Sequence, residues 1–427
     1  MTRSRSASLA AIFAVVFIDL LGFGIALPLL ARYGEYFDAR AWLGPLVAVF
    51  SAMQFFFAPV WGRLSDRIGR RPVLLIGLAG SAVFYSLFGF ASGMERNATL
   101  LGLTPLALLF VSRIGAGIAG ATIPTAQAYI ADVTGPAERA KGMALIGAAF
   151  GMGFTFGPMI GAAFVSDDPA APPSPYPGYL AAGLSATAFL AAFAVLREPE
   201  RHAATASARP AGRRHLLRDG VRMSLVGLIF LTTTAFAMFE STLTLFSDRL
   251  GYSARENFYL FAFVGITLTI AQGVLVRRLA PQLKELRMVP VGLLFLAIGL
   301  AGLGAVGTMR ASDPWMLCAA LTSCIIGVSF VTPSLQSLLS LTTPGSQQGT
   351  VLGFGQSAAA LARIVGPLAG IWLFQRSIPT AYGVAALVTL AGLVAIVPVL
   401  GKIRDRATEQ PEAVPPDLGT PVRTIVE

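Results

Sequence analysis

Apolar runs of about twenty residues alternate with short polar segments along this chain, near 8–30, 42–62, 73–93, 105–131, 142–165, 178–196, 223–246, 256–276, 288–308, 314–341, 349–374 and 380–400. Each run is long enough to cross about 30 Å of hydrocarbon as a helix. The pattern predicts an all-α membrane protein with twelve transmembrane helices. The longest polar interior segment, Arg197–Arg222, carries Pro199, Pro210 and Gly212 among Ala, Ser and Arg, and has the composition of a linker. It separates a six-helix bundle over 1–196 from a second over 223–400, the linker itself taking 197–222. The tail 401–427, with Pro411, Pro415, Pro416 and Pro421, is expected to be disordered.

The two sets of six repeat one another. Pro124 and Gln127 correspond to Pro333 and Gln336, and Gly157, Pro158 and Gly161 to Gly366, Pro367 and Gly370, all at an offset of 209 (333 − 124 and 367 − 158). Two similar halves in parallel orientation suit a transporter whose substrate sits between pseudo-symmetric bundles.

Composition agrees with a membrane class. Apolar residues make up 55% and charged residues 13%, about half the charge density of a soluble domain. The net charge of +10 could suggest nucleic acid, but the positions of the basic residues argue for topology instead. With the N-terminus inside, Lys and Arg favour the inner segments about threefold, placing both termini in the cytoplasm and the chain in the cytoplasmic membrane. The first run follows Arg3 and Arg5 and holds Asp19 at its middle, so it is expected to be a retained span rather than a cleaved leader. Cys318 and Cys324 share one span, which argues against a disulfide or a metal site.

The densest chemistry lies between the second and third runs, in Gly62-Arg-Leu-Ser-Asp66-Arg67-Ile-Gly69-Arg70-Arg71. One carboxylate and four arginines in a ten-residue loop suggest an electrostatic latch. Asp66 is expected to dock on the positive N-terminus of the eleventh helix near Gln348-Gly349 and close an inner gate, with Arg67, Arg70 and Arg71 holding the loop against lipid phosphates or Glu138. A weaker copy, Gly273-Val-Leu-Val-Arg277-Arg278, has Arg277 in place of the carboxylate. Asp19, Arg113, Glu240 and Arg363 fall well inside spans. Such charges cost about 2.5–3.5 kcal/mol each at mid-bilayer, so they are expected to pair and face a cavity. Asp19 with Arg113, and Glu240 with Arg363, are candidates for proton coupling. A permanent structural bridge is the alternative for each pair. Gln54, Phe55, Gln127, Phe236, Phe239, Gln272, Gln336 and Gln356 are candidates to line a substrate cavity, because an amide within a span needs a partner and an aromatic face can hold a cation.

These features together resemble the major facilitator superfamily, and within it the twelve-span drug:proton antiporters of the tetracycline-efflux-like group, over residues 8–400. Gly62-x-Leu64-x-Asp66-Arg67-x-Gly69-Arg70-Arg71 is similar to the family's inner-loop signature. Arg113-x-x-x-Gly117 is similar to the fourth-span motif, and Asp19 with Gly22, Gly24 and Pro28 to the first-span pattern. Gly153-x-x-x-Gly157-Pro158-x-x-Gly161 is similar to the fifth-span motif associated with antiport; its small residues allow close helix approach, expected either to keep the interface between halves proton-tight or to serve packing without gating. Ala116 replaces a common Gln, Phe84 stands where tetracycline exporters carry an acid, and the histidines, His202 and His215, lie in the linker.

The resemblance implies proton-driven export of small lipophilic or cationic compounds by alternating access, in a monomer among membrane lipids. A metabolite carrier for a sugar, amino acid or siderophore, working by symport or facilitated diffusion, is the alternative. A receptor that no longer transports would be expected to have lost the buried charges. The sequence holds no phosphate-cradling Gly-x-x-x-x-Gly-Lys-Ser/Thr loop and no His/Cys/carboxylate cluster at metal spacing. No enzyme activity, metal, cofactor or nucleic-acid partner is expected.

Overall fold

In an apolar environment every backbone N–H and C=O must be satisfied within its own segment, and a chain of long apolar runs therefore folds into helices. A computed structural model describes residues 2–26, 33, 36–37, 42–164, 173–199, 219–252, 254–309 and 314–409, and no strand occurs among them. The helices are α1 (Thr2–Ala26), α2 (Leu43–Ile68), α3 (Arg70–Ser92), α4 (Pro105–Ala119), α5 (Ile123–Val133), α6 (Arg139–Ala162) and α7 (Tyr176–Val195) in the first half. The second half holds α8 (Gly220–Arg249), α9 (Ala254–Ile270), α10 (Arg277–Val306), α11 (Pro314–Leu341), α12 (Gln348–Arg376) and α13 (Ile378–Glu409). Most of the linker, including His202 and His215, lies outside the described residues, as does the chain after Glu409. The last helix continues past 400, where a disordered tail was expected to begin.

Among the described residues ten helical segments are long and apolar enough to cross a membrane, and Ser8–Gly22 adds a shorter apolar one. One of the ten, Tyr259–Val306, has 48 residues, far more than a single crossing needs. It is two spans joined at Lys284, whose φ of 53° and ψ of 163° break the helix. The total is therefore twelve. The fourth span is also compound: α4 and α5 are joined by a 3-10 turn, Gly120–Thr122, just before Pro124. Thr104 caps α4, its hydroxyl accepting from the Ala107 amide, with Pro105 at the first helical position, where a missing N–H costs nothing.

The duplication shows in the hydrogen bonds. Arg139 Nη2, at the start of α6, donates to the carbonyls of Ala131 (2.8 Å) and Thr134 (3.2 Å). At the same offset of 209 (348 − 139), Gln348 Nε2 at the start of α12 donates to Ser340 (2.8 Å) and Thr343 (2.9 Å). Thr134 and Thr343 each donate back to a carbonyl four residues earlier, at 2.6 Å. Gly69 and Lys284, 215 residues apart (284 − 69), are positive-φ hinges in the two halves with ψ of 162° and 163°. On the side of the molecule that carries Asp66, hereafter the latch face, one apolar core runs through both halves, from Ile12, Leu78 and Ile130 to Leu225, Leu293 and Leu339. Large apolar side chains such as Phe56, Val83, Leu190, Ile298, Leu387 and Val394 are exposed on the outer surface, as a bilayer requires.

Candidate functional site

The charge-rich segment is not a loop. Helices α2 and α3 run through it and leave only Gly69 between them, at φ 109°, a conformation that penalises side chains. A Cβ at Gly69 would also meet the Glu198 carboxylate at 2.8 Å. Glu198 explains why the turn can be so short. Its Oε1 accepts from the Arg70 amide (2.6 Å) and its Oε2 from the Arg71 amide (2.8 Å), capping two orphan donors of α3.

Asp66 does meet the start of the eleventh span. Its Oδ1 accepts from the Gly349 amide (2.9 Å), and its Oδ2 from the Thr350 amide (2.8 Å) and hydroxyl (2.7 Å). The arginines act differently from expectation. Arg70 is turned inward and buried, donating to Ser65 (2.8 Å), Asp66 (2.6 Å) and Asp132 (3.0 Å). Desolvating a guanidinium demands such partners, so it cannot also serve lipid phosphates. Arg71 lies 5.2 Å over the Phe193 ring and donates to the Phe193 carbonyl, while Arg67 is exposed. Glu138 pairs with Lys141 at 3.8 Å rather than with the latch. Gly62 packs directly on the Gly349 carbonyl, so neither position has room for a side chain.

The latch face has a second polar link between halves. Arg139 Nη1 reaches Ser340 Oγ at 3.3 Å, and Ser340 Oγ donates to Gln348 Oε1 at 2.7 Å. Buried Glu285, next to the Lys284 hinge, accepts from Ser337 (2.7 Å) and lies within electrostatic range of Arg139. The second-half counterpart of the latch therefore carries its carboxylate at Glu285, beside the hinge rather than at the Arg277 position.

At mid-span the candidate residues divide between two cavities. Asp19 lines a narrow crevice of about 10 Å³ within the first half, with Val15, Val16, Leu74, Leu78, Thr122, Ile123 and Ala126, and accepts from the Ser81 hydroxyl at 2.8 Å. Arg113 is buried 4.6 Å over the Phe50 ring, and Tyr85 is within electrostatic range of both Asp19 and Arg113. The other cavity, also about 10 Å³, lies between the halves and is lined by Gln54, Ala58, Gly120, Ala121, Ile123, Pro124, Gln356 and Arg363. Arg363 Nη2 donates to Gln54 Oε1 (3.2 Å) and is within electrostatic range of Glu240.

The remaining cavity candidates lie elsewhere. Phe239 is buried in the second-half core, 5.5 Å from Phe236, and Phe55 stacks edge-on with Phe56 at 5.0 Å while its carbonyl takes the Ser357 hydroxyl. Gln127, Gln272 and Gln336 are buried, Gln272 against Gly147. The glycines of the fifth span face the first span of their own half rather than the seam between halves. A Cβ on Gly157 would lie 2.6 Å from Gly24 Cα, and one on Gly153 3.1 Å from Leu20. Gly161 is buried near the end of the same helix, which also contains Pro158. The α6 positions that meet the second half include Gly147, Gly151 and Thr155, against Gln272, Thr269 and Gly265 of the eighth span.

Ser81, Gly120, Asp132, Glu198, Glu285 and Thr350 were not singled out from the sequence. Asp132 had one available signal: it is a carboxylate at the latch-face end of a span, where a buried arginine would need a partner.

The Major Facilitator Superfamily model matches residues 12–309 and 285–425. The class D tetracycline resistance protein of Salmonella ordonez is 30% identical over 389 residues, covering 88% of this chain and 92% of its own. Multidrug resistance protein 2 of Bacillus subtilis (strain 168) is 27% identical over 390 residues, covering 88% and 91%. The crystal structure of the human organic anion transporter MFSD10 (TETRAN) superposes with a TM-score of 0.76 at 25% identity, covering 92% of this chain and 99% of that one.

Proposed function

The chain belongs to the Major Facilitator Superfamily, and from that premise we propose that it is a proton-coupled exporter of small lipophilic or cationic compounds. It works by rocking its two bundles about the cavity between them, in the cytoplasmic membrane, with both termini and the latch face in the cytoplasm. It functions as a monomer in contact with lipid. The observation that carries this reading is the placement of Asp19 and Glu240. Each is a carboxyl group held at mid-span in a different half, one on Ser81 and one opposite Arg363. Charge stored there is costly, and the surroundings of both groups change when the halves move. A carboxyl group that is charged in one state and neutral in the other carries one proton per cycle against the cargo. Kinship with tetracycline and multidrug resistance proteins supports export.

Proteoliposomes test this. An imposed pH gradient should drive ethidium or tetracycline toward the acidic side, and Asp19→Asn should abolish the gradient dependence while leaving binding in place. Equal fluxes with and without a gradient would reject coupling. One observation favours a different cargo: Arg363 lines the cavity between the halves, a position suited to an anion. Human MFSD10, which this chain resembles, is an organic anion transporter. Competition by a lipophilic carboxylate but not by ethidium would support that reading.

A further inference from the structure

The two mid-span cavities share a wall, the 3-10 turn Gly120–Thr122 with the Ile123 that follows it. Thr122 and Ile123 line the Asp19 crevice, while Gly120, Ala121 and Ile123 line the cavity between the halves. A 3-10 segment inside a longer helix often marks a hinge, because its tighter winding and poorer hydrogen bonds make it easier to rewind. Gly120 is buried in this wall. A Cβ there would stand 3.6 Å from Asp19 Oδ2, 3.8 Å from Gln54 Nε2 and 3.5 Å from the Phe50 ring. Its carbonyl accepts from Gln54 Nε2 at 3.4 Å, and Gln54 Oε1 accepts from Arg363 at 3.2 Å. Arg363 in turn faces Glu240.

A single line of neighbours, joined by two hydrogen bonds at Gln54, thus runs from the first-half carboxyl group to the second-half one: Asp19, Gly120, Gln54, Arg363, Glu240. We propose that the Gly120–Thr122 turn is the coupling element of the transporter, and that Gly120 is its positioning residue. It translates the charge state of Asp19 into the orientation of Gln54 and Arg363 in the cargo cavity. This rests on the proposal that Asp19 exchanges a proton. Asp19 lies beside Gly120 with no hydrogen bond to the turn, its hydrogen bond being the one from Ser81, so the coupling is electrostatic: a carboxylate attracts the partial positive charge on the Cα–H and N–H groups beside it more strongly than a neutral carboxyl group does. The turn then shifts by a fraction of an ångström, and Gln54 moves with the carbonyl it is bonded to. The other polar or charged groups around Asp19 are Ser81 and Tyr85 on α3 and Arg113 on α4, and none of them lines the cavity between the halves. The turn bridges the two spaces.

Gly120→Ala makes the test, since the added methyl meets its neighbours at ordinary contact distances of 3.5–3.8 Å and the protein should fold. A reporter thiol, Gln356→Cys in a background with Cys318 and Cys324 replaced by Ser, reads the cavity through its maleimide labelling rate, corrected for thiol ionisation. The rate should change at least about fivefold between about pH 5.5 and 8.5 in the starting protein. It should be flat in Asp19→Asn, and equally flat in Gly120→Ala and in Gln54→Leu, with melting temperatures unchanged. If Asp19→Asn flattens the profile while Gly120→Ala and Gln54→Leu keep it in full, the relay is wrong and the proton role of Asp19 stands. If Asp19→Asn keeps the profile, the proton role fails and takes the relay with it. A flat profile in the starting protein overturns both.

Discussion

Neutralising Asp66 should open the latch face, and the structure sets the size of the effect. Asp66 accepts three hydrogen bonds from the start of α12, at 2.9, 2.8 and 2.7 Å, and one from Arg70 at 2.6 Å. Hydrogen bonds to a charged group contribute about 1.5–3 kcal/mol each, and the helix N-terminus adds up to about 1 kcal/mol. Asp66→Asn keeps one acceptor oxygen and turns an N–H toward donors it cannot satisfy. Arg70 retains Asp132, so part of its charge stays compensated. A net loss of about 3 kcal/mol of closure is the reasonable sum, a shift of about 150-fold toward the open state. Thr350→Val removes a single hydroxyl donor and should cost about 1 kcal/mol, or about fivefold. Ala144→Cys, buried where α6 meets Val276 and Ala280, reports closure through labelling by an impermeant maleimide from the latch face. Labelling should rise strongly in Asp66→Asn and slightly in Thr350→Val, with transport slowed in the same order. Unchanged labelling and transport in Asp66→Asn would refute the latch. Equal effects from both variants would refute the charge argument while leaving a steric contact.

Three further outcomes follow from the packing. Gly157→Leu should force α1 and α6 apart, since even a Cβ would stand 2.6 Å from Gly24 Cα; overpacking of this kind costs about 1–3 kcal/mol. Thermal unfolding in detergent should fall by several degrees, and passive proton entry into proteoliposomes should rise. Lys284→Gly should stabilise the protein by about 1 kcal/mol, because lysine holds φ 53° there at a cost glycine does not bear; the melting temperature checks it, and a decrease would mean that the lysine side chain matters more than the strain. Glu198→Ala leaves two N-terminal amides of α3 without their acceptor and should cost about 1–2 kcal/mol; an unchanged melting temperature would show that water replaces the cap.

The spans, their number and the duplication were legible because period, length and spacing are one-dimensional properties. Asp66 and its partner at Gly349 were also legible, since a helix N-terminus and a carboxylate attract each other wherever a fold brings them together. The arginines were misjudged because the sequence displays charge and hides direction. Arg70 and Arg71 are neighbours in a helix, so their side chains point about 100° apart; one enters the bundle and the other lies on Phe193. The glycines of α6 failed for the same reason. Residues 153 and 157 face α1, while 147 and 151 face the eighth span, and a motif does not say which neighbour will occupy each side. Asp19 and Gln54 were both selected from the sequence, yet the thin wall between them came from Gly120, whose contribution is the absence of a side chain.

The arrangement of α2 against α12 argues that the Asp66 contact and the cavity between the halves cannot move independently. Along this seam Gly62 meets Gly349, Ala58 meets Gly353, Phe55 meets Ser357 and Gln54 meets Arg363, in strict antiparallel order. From Gly349 to Arg363 is 14 residues (363 − 349), about 21 Å of helix. Pro367 lies beyond that stretch, so no proline interrupts it. A helix without a break transmits displacement along its axis, and close glycine packing leaves no slack to absorb a tilt. Releasing Asp66 from one end therefore moves Arg363 relative to Gln54 at the other. Conversely, a cargo that draws Arg363 away from Gln54 weakens the latch about 20 Å distant. By reciprocity the two effects are equal in free energy, so any compound that binds the closed-latch state more tightly must also protect Ala144→Cys from labelling by the same factor.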